Sequence, residues 1–418
     1  MKNKVLFLFV TVIMVTSLVI AGCGAPESEA PAPSPAPTTT PSPTPTPEPE
    51  PEPKYITLGI SSSLSGWAAE WGMAHFRGGE LLFEKTNAAG GLDIGGEKHL
   101  IKWIVYDDKF DPTEGAIIAN RLIHEDKVDV FITMSGEIAT VAREISRDAG
   151  KFQFGADWVD DQPSPDYPLA FANLISFAEI VGGGYPWLAE NYPEIKTIAK
   201  ISPNYALAVS GEGWVKRWAE LLGIEVLATE RPEPDVVDFT PVLNTIVAKN
   251  PDMIDVTAFT GDVAALIVKQ SRELGYTGMF VGWDMYNLEL MIEIAGAENT
   301  EGFISGMGYG RPYLPAMKEV EAAYVEKYGP PWVSSVLGEV VGWEALLGAI
   351  EKAGTWESEA LANAMRGGEF TTITGTARFG GKEIYGIDNQ ILSPLYIAQI
   401  QGGEVIHLDS VPTGDYPT

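Results

Sequence analysis

From Tyr55 onward, short runs of aliphatic and β-branched residues alternate with longer runs whose apolar positions recur every three or four residues. The first run, Tyr55 to Ser61, predicts a strand that ends in a serine-rich turn closed by Ser65-Gly66. A helix follows from about Ala68 to Asn87, with Gly72, Phe76, Gly79 and Phe83 on one face and Gly90-Gly91 just beyond its end. Glycines on that face predict a close approach of the helix to the sheet. Strand Ile101 to Tyr106 leads to Asp107-Asp108 and then to Asp111-Pro112-Thr113-Glu114, which reads as the N-cap, first-turn proline and N3 acid of a helix ending near Asp126. Strand Val128 to Thr133 opens onto Met134-Ser135-Gly136-Glu137 and a helix to Ala149. Strand Phe152 to Phe154 opens onto Gly155-Ala156-Asp157-Trp158.

After Asn173 the alternation restarts. Helix Ala178 to Glu190 precedes strand Thr197 to Ile201, the turn Ser202-Pro203-Asn204-Tyr205 and helix Val209 to Leu222. Strand Glu225 to Ala228, a helix near Pro241 to Lys249, strand Met253 to Phe259 with Thr260-Gly261-Asp262, helix Val263 to Leu274, and strand Met279 to Gly282 ending at Trp283-Asp284 complete the second round. Two rounds of one pattern predict an α/β fold of two doubly wound parallel-sheet lobes. Ligands bind such sheets beyond the carboxyl ends of the strands, so facing lobes would enclose a cleft among these turns.

The first fifty-three residues follow a different pattern. Lys2 and Lys4 precede an uncharged run from Val5 to Ala21 that is long enough for a secretory signal and short for a stable membrane span. It ends in Ile20-Ala21-Gly22-Cys23, which resembles the lipobox of prokaryotic lipoproteins. That resemblance makes residues 1–22 a signal peptide and Cys23 the acylated first residue of an extracytoplasmic, lipid-anchored protein. Proline then recurs at every second position from Pro41 to Pro53, interleaved with Ser and Thr and finally Glu. Such a segment cannot bury a core, and as an extended polyproline form residues 23–53 would reach roughly 90 Å as a stalk.

Charge and cysteine content narrow the function. With 28 Lys+Arg against 57 Asp+Glu the chain carries a formal charge of −29, which would repel phosphate backbones and excludes nucleic acid as a natural partner. Its single cysteine rules out an intrachain disulfide or a thiolate zinc site. His75, His99, His124 and His407 are scattered without metal-ligand spacing, and neither a nucleophile elbow nor a P-loop occurs. Gly306-x-Gly308-x-Gly310-Arg311 departs from dinucleotide spacing and reads as an interlobe connection. The Asp107, Asp108, Asp111 cluster lacks the glycine and final glutamate of a calcium loop, which leaves turn and capping roles. No catalytic constellation and no cofactor is expected.

Ser65-Gly66-x4-Trp71-Gly72, Asn87-Ala88-Ala89-Gly90-Gly91, Tyr106-Asp107-Asp108 with Asp111-Pro112, and Ser271-Arg272-x-Leu274-Gly275 together resemble extracytoplasmic solute-binding proteins of the branched-chain amino acid type, which serve ABC importers. The resemblance implies the periplasmic-binding-protein type I fold, with crossings near Asn173, Gly302 and Thr371. One lobe would then span 54–173 with 304–370, and the other 174–303 with 371–418. It also implies hinge closure on a solute, docking of the closed form on a permease, and a monomer.

Carried over residue by residue, the resemblance makes Trp71 a side-chain wall and puts Ser135 and Gly136 at the ligand carboxylate. Ala156 and Asp157 fall where a backbone group and a hydroxyl are usual, Thr260 and Gly261 where an aromatic wall is usual, and Asp284 at the acid that pairs with the ligand ammonium. A zwitterion taken out of water needs those complementary groups at its two ends. Tyr205 joins the candidate contacts from the turn after its strand. Trp67, Trp71, Trp158 and Trp283 lie at strand ends, and with the carboxylate of Asp157 they favour an aromatic or cationic solute, whereas Asp284 and Ser135 favour an aliphatic amino acid. A ligand-sensing receptor module is the alternative reading, since the same fold family is used in receptors.

Overall fold

The computed structural model describes residues 52–134, 136–155, 163–284, 287–306 and 314–414. The signal peptide, Cys23, nearly all of the stalk, Ser135, Ala156, Asp157, Trp158 and the stretch 307–313 lie outside the described residues.

The first sheet contains β1 (Lys54–Ser62), β2 (Leu92–Ile94), β3 (Glu97–Asp107), β4 (Val130–Thr133), β5 (Gln153–Phe154) and β6 (Ala170–Phe171), in the spatial order β2-β3-β1-β4-β5-β6. β1 pairs in parallel with β3 on one side and β4 on the other, so chain order reverses at its carboxyl end. Helices cover both faces, which is why Ile56, Leu58, Ile60, Val130, Phe131 and Ile132 are all buried and the strands read as continuous apolar runs.

The second sheet begins with β7 (Thr197–Ile201), β8 (Glu225–Glu230), β9 (Met253–Asp255), β10 (Met279–Trp283) and β11 (Ile304–Gly306). β7 lies between β8 and β9, again in parallel, and repeats the switch of the first sheet. A small antiparallel sheet, β12 (Glu369–Thr372), β13 (Gly375–Gly380) and β14 (Gln390–Leu392), comes next in the chain. β15 (Leu395–Gln401) and β16 (Glu404–Val411) then return to the second sheet as an antiparallel edge on β11. The residues Glu369–Leu392 belong with the first lobe, because Phe379 packs edge-on against Phe171 of β6 and the Ala172 N–H bonds to the Asn389 carbonyl at 3.0 Å. Ile304–Gly306 pairs with β10, and the chain returns to the second sheet after Leu392.

Helices α1 (Ala69–Ala88), α2 (Pro112–Asn120) and α3 (Glu137–Asp148) follow β1, β3 and β4. Asp111 caps α2 as expected, accepting from Thr113 N at 2.8 Å and Glu114 N at 3.1 Å, and the segment Arg121–Glu125 winds on as a π-helical turn. In the second lobe α4 (Phe177–Asn191), α5 (Ala206–Leu222), α6 (Thr240–Val247), α7 (Gly261–Glu273), α8 (Leu288–Ala295) and α9 (Ala297–Thr300) alternate with the strands. α10 (Pro315–Tyr328), α11 (Val336–Ala353) and α12 (Ser358–Arg366) return to the first lobe, and α13 (Lys382–Tyr385) sits in the β13–β14 connection.

Close approach explains the glycines of α1, though only in part as expected. A Cβ on Gly72 would lie 2.0 Å from the Ser63 carbonyl, so the helix start rests on the β1 turn; a Cβ on Gly79 would lie 2.8 Å from Trp343 of α11, so that glycine serves helix–helix packing. The glycine-rich α4 stays helical because Ser176 and Glu179 form a capping box and because Gly184 must clear Trp283, whose ring would lie 2.4 Å from a Cβ there. The strand expected over Met253 to Phe259 stops at Asp255. Beyond it Thr257 accepts the Trp283 N–H through Oγ1 at 2.9 Å, and Ala258 turns to φ 80°.

Candidate functional site

Two aspartates after β3 build the first wall. Asp108 is fully buried and accepts from Ser61 Oγ at 2.8 Å, Ser63 Oγ at 2.5 Å and the Phe110 N–H at 3.0 Å; burial holds its carboxyl above the usual range. Asp107 accepts from Leu64 N at 2.9 Å, Ser65 N at 3.2 Å and Ser65 Oγ at 2.6 Å. Together they fasten the β1–α1 turn from the neighbouring strand and so fix where Trp67 emerges. Lys109 and Phe110 carry φ of 55° and 58°, a left-handed pair that turns the Phe110 ring back towards the same spot.

The result is an aromatic cluster made by both lobes. Trp67 meets Trp71 at 5.7 Å and Phe110 at 4.9 Å between ring centroids, and from the second lobe Tyr205 lies 5.4 Å from Trp67 and 6.1 Å from Phe110. Ala68 and Met134 complete the floor. Gly136 has φ 88°, and a Cβ there would lie 2.8 Å from the Phe110 ring, so the start of α3 can press against the cluster only as glycine. Beside it Glu137 Oε1 accepts the Ala206 N–H at 3.1 Å, at the start of α5.

On the second lobe the Tyr205 hydroxyl donates to the Ala258 carbonyl at 3.1 Å, tying the turns after β7 and β9 together. Lys200 and Asp255 stiffen this end from beneath. They are buried with Nζ and Oδ1 3.3 Å apart, Lys200 also donates to the Thr257 carbonyl at 2.9 Å, and Tyr185 donates to Asp255 at 2.7 Å. Thr260 is buried at the N-cap of α7, and its Oγ1 has no partner among the described residues; the Trp71 Nε1 is in the same condition. Asp284 follows β10, 5% exposed, with its backbone carbonyl accepting from Ser305 Oγ at 3.3 Å.

Of the sequence candidates, Trp67, Trp71, Gly136 and Tyr205 are thus brought together, while in the facing lobe Thr260 stands at the start of α7 and Asp284 at the end of β10. Trp283 is a correction. Its side chain is fully buried in β10 against Gly184, Gly306 and Tyr185, so it belongs to the core and not to a cleft wall. Phe110 and Glu137 beside the cluster, and Glu70, whose Oε1 accepts the Asn287 N–H from the facing lobe at 3.2 Å, are not among the sequence candidates. An apolar residue in a turn and two acids among 57 give no sequence signal; only the left-handed backbone and the facing lobe single them out.

The sequence from residue 55 to 404 matches the family model described as periplasmic binding protein. The chain belongs to that family. The periplasmic binding protein described here is 24% identical over 332 residues to the leucine-, isoleucine-, valine-, threonine- and alanine-binding protein of Pseudomonas aeruginosa, covering 78% of this chain and 86% of that one. Its fold is that of the branched-chain amino acid transporter substrate-binding protein of Streptococcus pneumoniae, solved with isoleucine (TM-score 0.72, 21% identity, 86% of this chain and 100% of that one). It is equally that of a solute-binding protein of an R. palustris ABC transporter, solved with benzoate (TM-score 0.73, 18% identity, 86% and 97%). Family membership implies an extracytoplasmic location, and among the described residues no helix is long and apolar enough to cross a membrane.

Proposed function

We propose that this periplasmic binding protein captures an amino acid or a related small polar or aromatic solute between its lobes and delivers it to the permease of an ABC importer. The reading is carried by the convergence of Trp67, Trp71 and Phe110 from one lobe with Tyr205 from the other. Stacked or edge-on rings favour a solute with an apolar or aromatic body. Asp284 supplies a counter-charge for an ammonium group, and the turn at Ser135 and Gly136 supplies donors for a carboxylate, with Ala156, Asp157, Trp158 and Thr260 as further contacts. The P. aeruginosa relative named for aliphatic amino acids and the R. palustris protein solved with benzoate support this range of bodies.

The same proposal assigns 54–171 with 315–392 to one lobe and 177–306 with 395–411 to the other. Cys23 carries the lipid, residues 24–53 space the monomeric trap from the membrane, and the closed form docks on the permease. Calorimetric titration with L-leucine, L-phenylalanine, benzoate and small primary amines tests the central step. Saturable one-site binding of at least one is expected, and flat heats across the whole set would overturn the reading.

A further inference from the structure

Two first-lobe glutamates end on helix starts of the second lobe. Glu70, in the first turn of α1, is half-buried with Oε1 accepting the Asn287 N–H at 3.2 Å, at the N-cap of α8. The fit is tight, since a Cβ on Gly261 would lie 3.0 Å from Glu70 Oε1. Glu137 does the same at α5, where it accepts the Ala206 N–H. α5 has no side-chain cap of its own, since Tyr205 stands at its N-cap position without a capping bond; in α8 the Asn287 side chain accepts the Leu290 N–H at 3.1 Å and Glu70 takes the Asn287 backbone N–H. The first N–H groups of a helix have no partner within it, and here one at the start of each helix is satisfied from across the cleft.

We infer that Glu70 and Glu137 are interlobe latches, first-lobe side chains that engage the N-termini of α8 and α5 only when the lobes are shut, and that they thereby set the balance between open and closed forms. The inference rests on reading the lobes as halves of a closing trap. Opening returns both carboxylates and the helix N–H groups to water, so the contact belongs to the closed state alone. Glu70 further makes closure sensitive to pH. Burial, then repulsion from Asp262, raises its pKa from 4.5 to about 8, while the N–H groups of Asn287, Asp262 and Gly261 pull it down. Asp262 is the charged group that faces it; Gly261 and Asn287 present backbone only. Oε2, buried and without a partner among the described residues, is where the proton would sit. A group whose pKa is raised on closure favours the closed state fully below about 4.5 and loses that contribution as pH rises through about 8.

Amide hydrogen exchange on the ligand-free full chain tests the latches without needing the solute. Because the Asn287 N–H is bonded to Glu70 Oε1, protection at Asn287 reports Glu70 directly. Protection is expected in the wild type and a loss of at least tenfold in Glu70→Ala, with β9 amides unchanged. Glu137→Ala should act in the same way on Ala206 alone. Between pH 6 and 8.5 the wild type should lose protection at Asn287, relative to intrinsic exchange, while Glu70→Gln should hold it. Unprotected amides in the wild type, a change below twofold in Glu70→Ala, or the same pH response in Glu70→Gln would each overturn the latch. Failure of every solute to bind would instead strike the functional reading and leave these exchange rates as they are.

Discussion

Trp67 and Tyr205 place their ring centroids 5.4 Å apart, one ring from each lobe, at the carboxyl ends of β1 and β7. These are the switch-point strands of the two sheets, where parallel neighbours diverge and leave room for a ligand. The ring contact therefore sits where fold physics alone puts a binding site.

Trp67 and Trp283 should respond oppositely to truncation. Trp67 is only half-buried and bridges the lobes, so Trp67→Ala should weaken solute binding by about tenfold while moving the melting temperature little. Trp283 fills the core between α4 and β11, and Trp283→Ala should cost about 3–5 kcal/mol of stability. Calorimetric binding and denaturant unfolding of the two variants check the contrast.

Asp284→Asn should reduce affinity for a zwitterionic solute by roughly tenfold to a hundredfold, the worth of a charge-assisted hydrogen bond of about 1.5–3 kcal/mol. A solute without an ammonium group should bind both forms equally. Titrating L-leucine and benzoate into both proteins makes the comparison.

Asp108→Ala leaves two serine hydroxyls and the Phe110 N–H without their acceptor. Unfolding free energy should fall by at least about 2 kcal/mol, because buried donors would be left unpaired. Affinity should fall as well, since the turn presenting Trp67 and Phe110 loosens. Denaturant unfolding paired with calorimetry separates the two effects.

Stability should decline from pH 6.5 to 8.5. Burial raises the pKa of Glu339 to about 8, so its contribution is complete below about 4.5 and lost as pH rises through about 8. His75, held down at about 3 by burial, adds a penalty only as pH falls below 6.5 and is silent in this window. Glu339→Gln should therefore show a shallower fall in melting temperature between pH 6.5 and 8.5, the remaining slope coming from Glu70, Glu179 and Glu344, which burial also raises.

Periodicity made the alternating elements legible, because strands covered on both faces become unbroken apolar runs and helices keep a 3.6-residue stripe. The Asp111 cap was legible for the same local reason. What escaped depends on partners distant in the chain. Gly79 gives way to Trp343, Trp283 turns inward because Gly184 and Gly306 leave it space, and Glu369–Leu392 folds onto the first lobe through Phe171 and Asn389. Of the residues at the cluster, Trp71 and Gly136 are named through the family resemblance and Tyr205 from the turn after its strand. Phe110 could not be named, since a left-handed phenylalanine held by a buried aspartate has no counterpart in residue type or spacing.

A crystal structure with the tightest-binding member of the solute panel tests the capture account most directly. The account predicts electron density enclosed between the lobes, against Trp71, Gly136 and Tyr205, with any ammonium group directed to Asp284. Density on an outer surface of either lobe, with nothing between them, would contradict it.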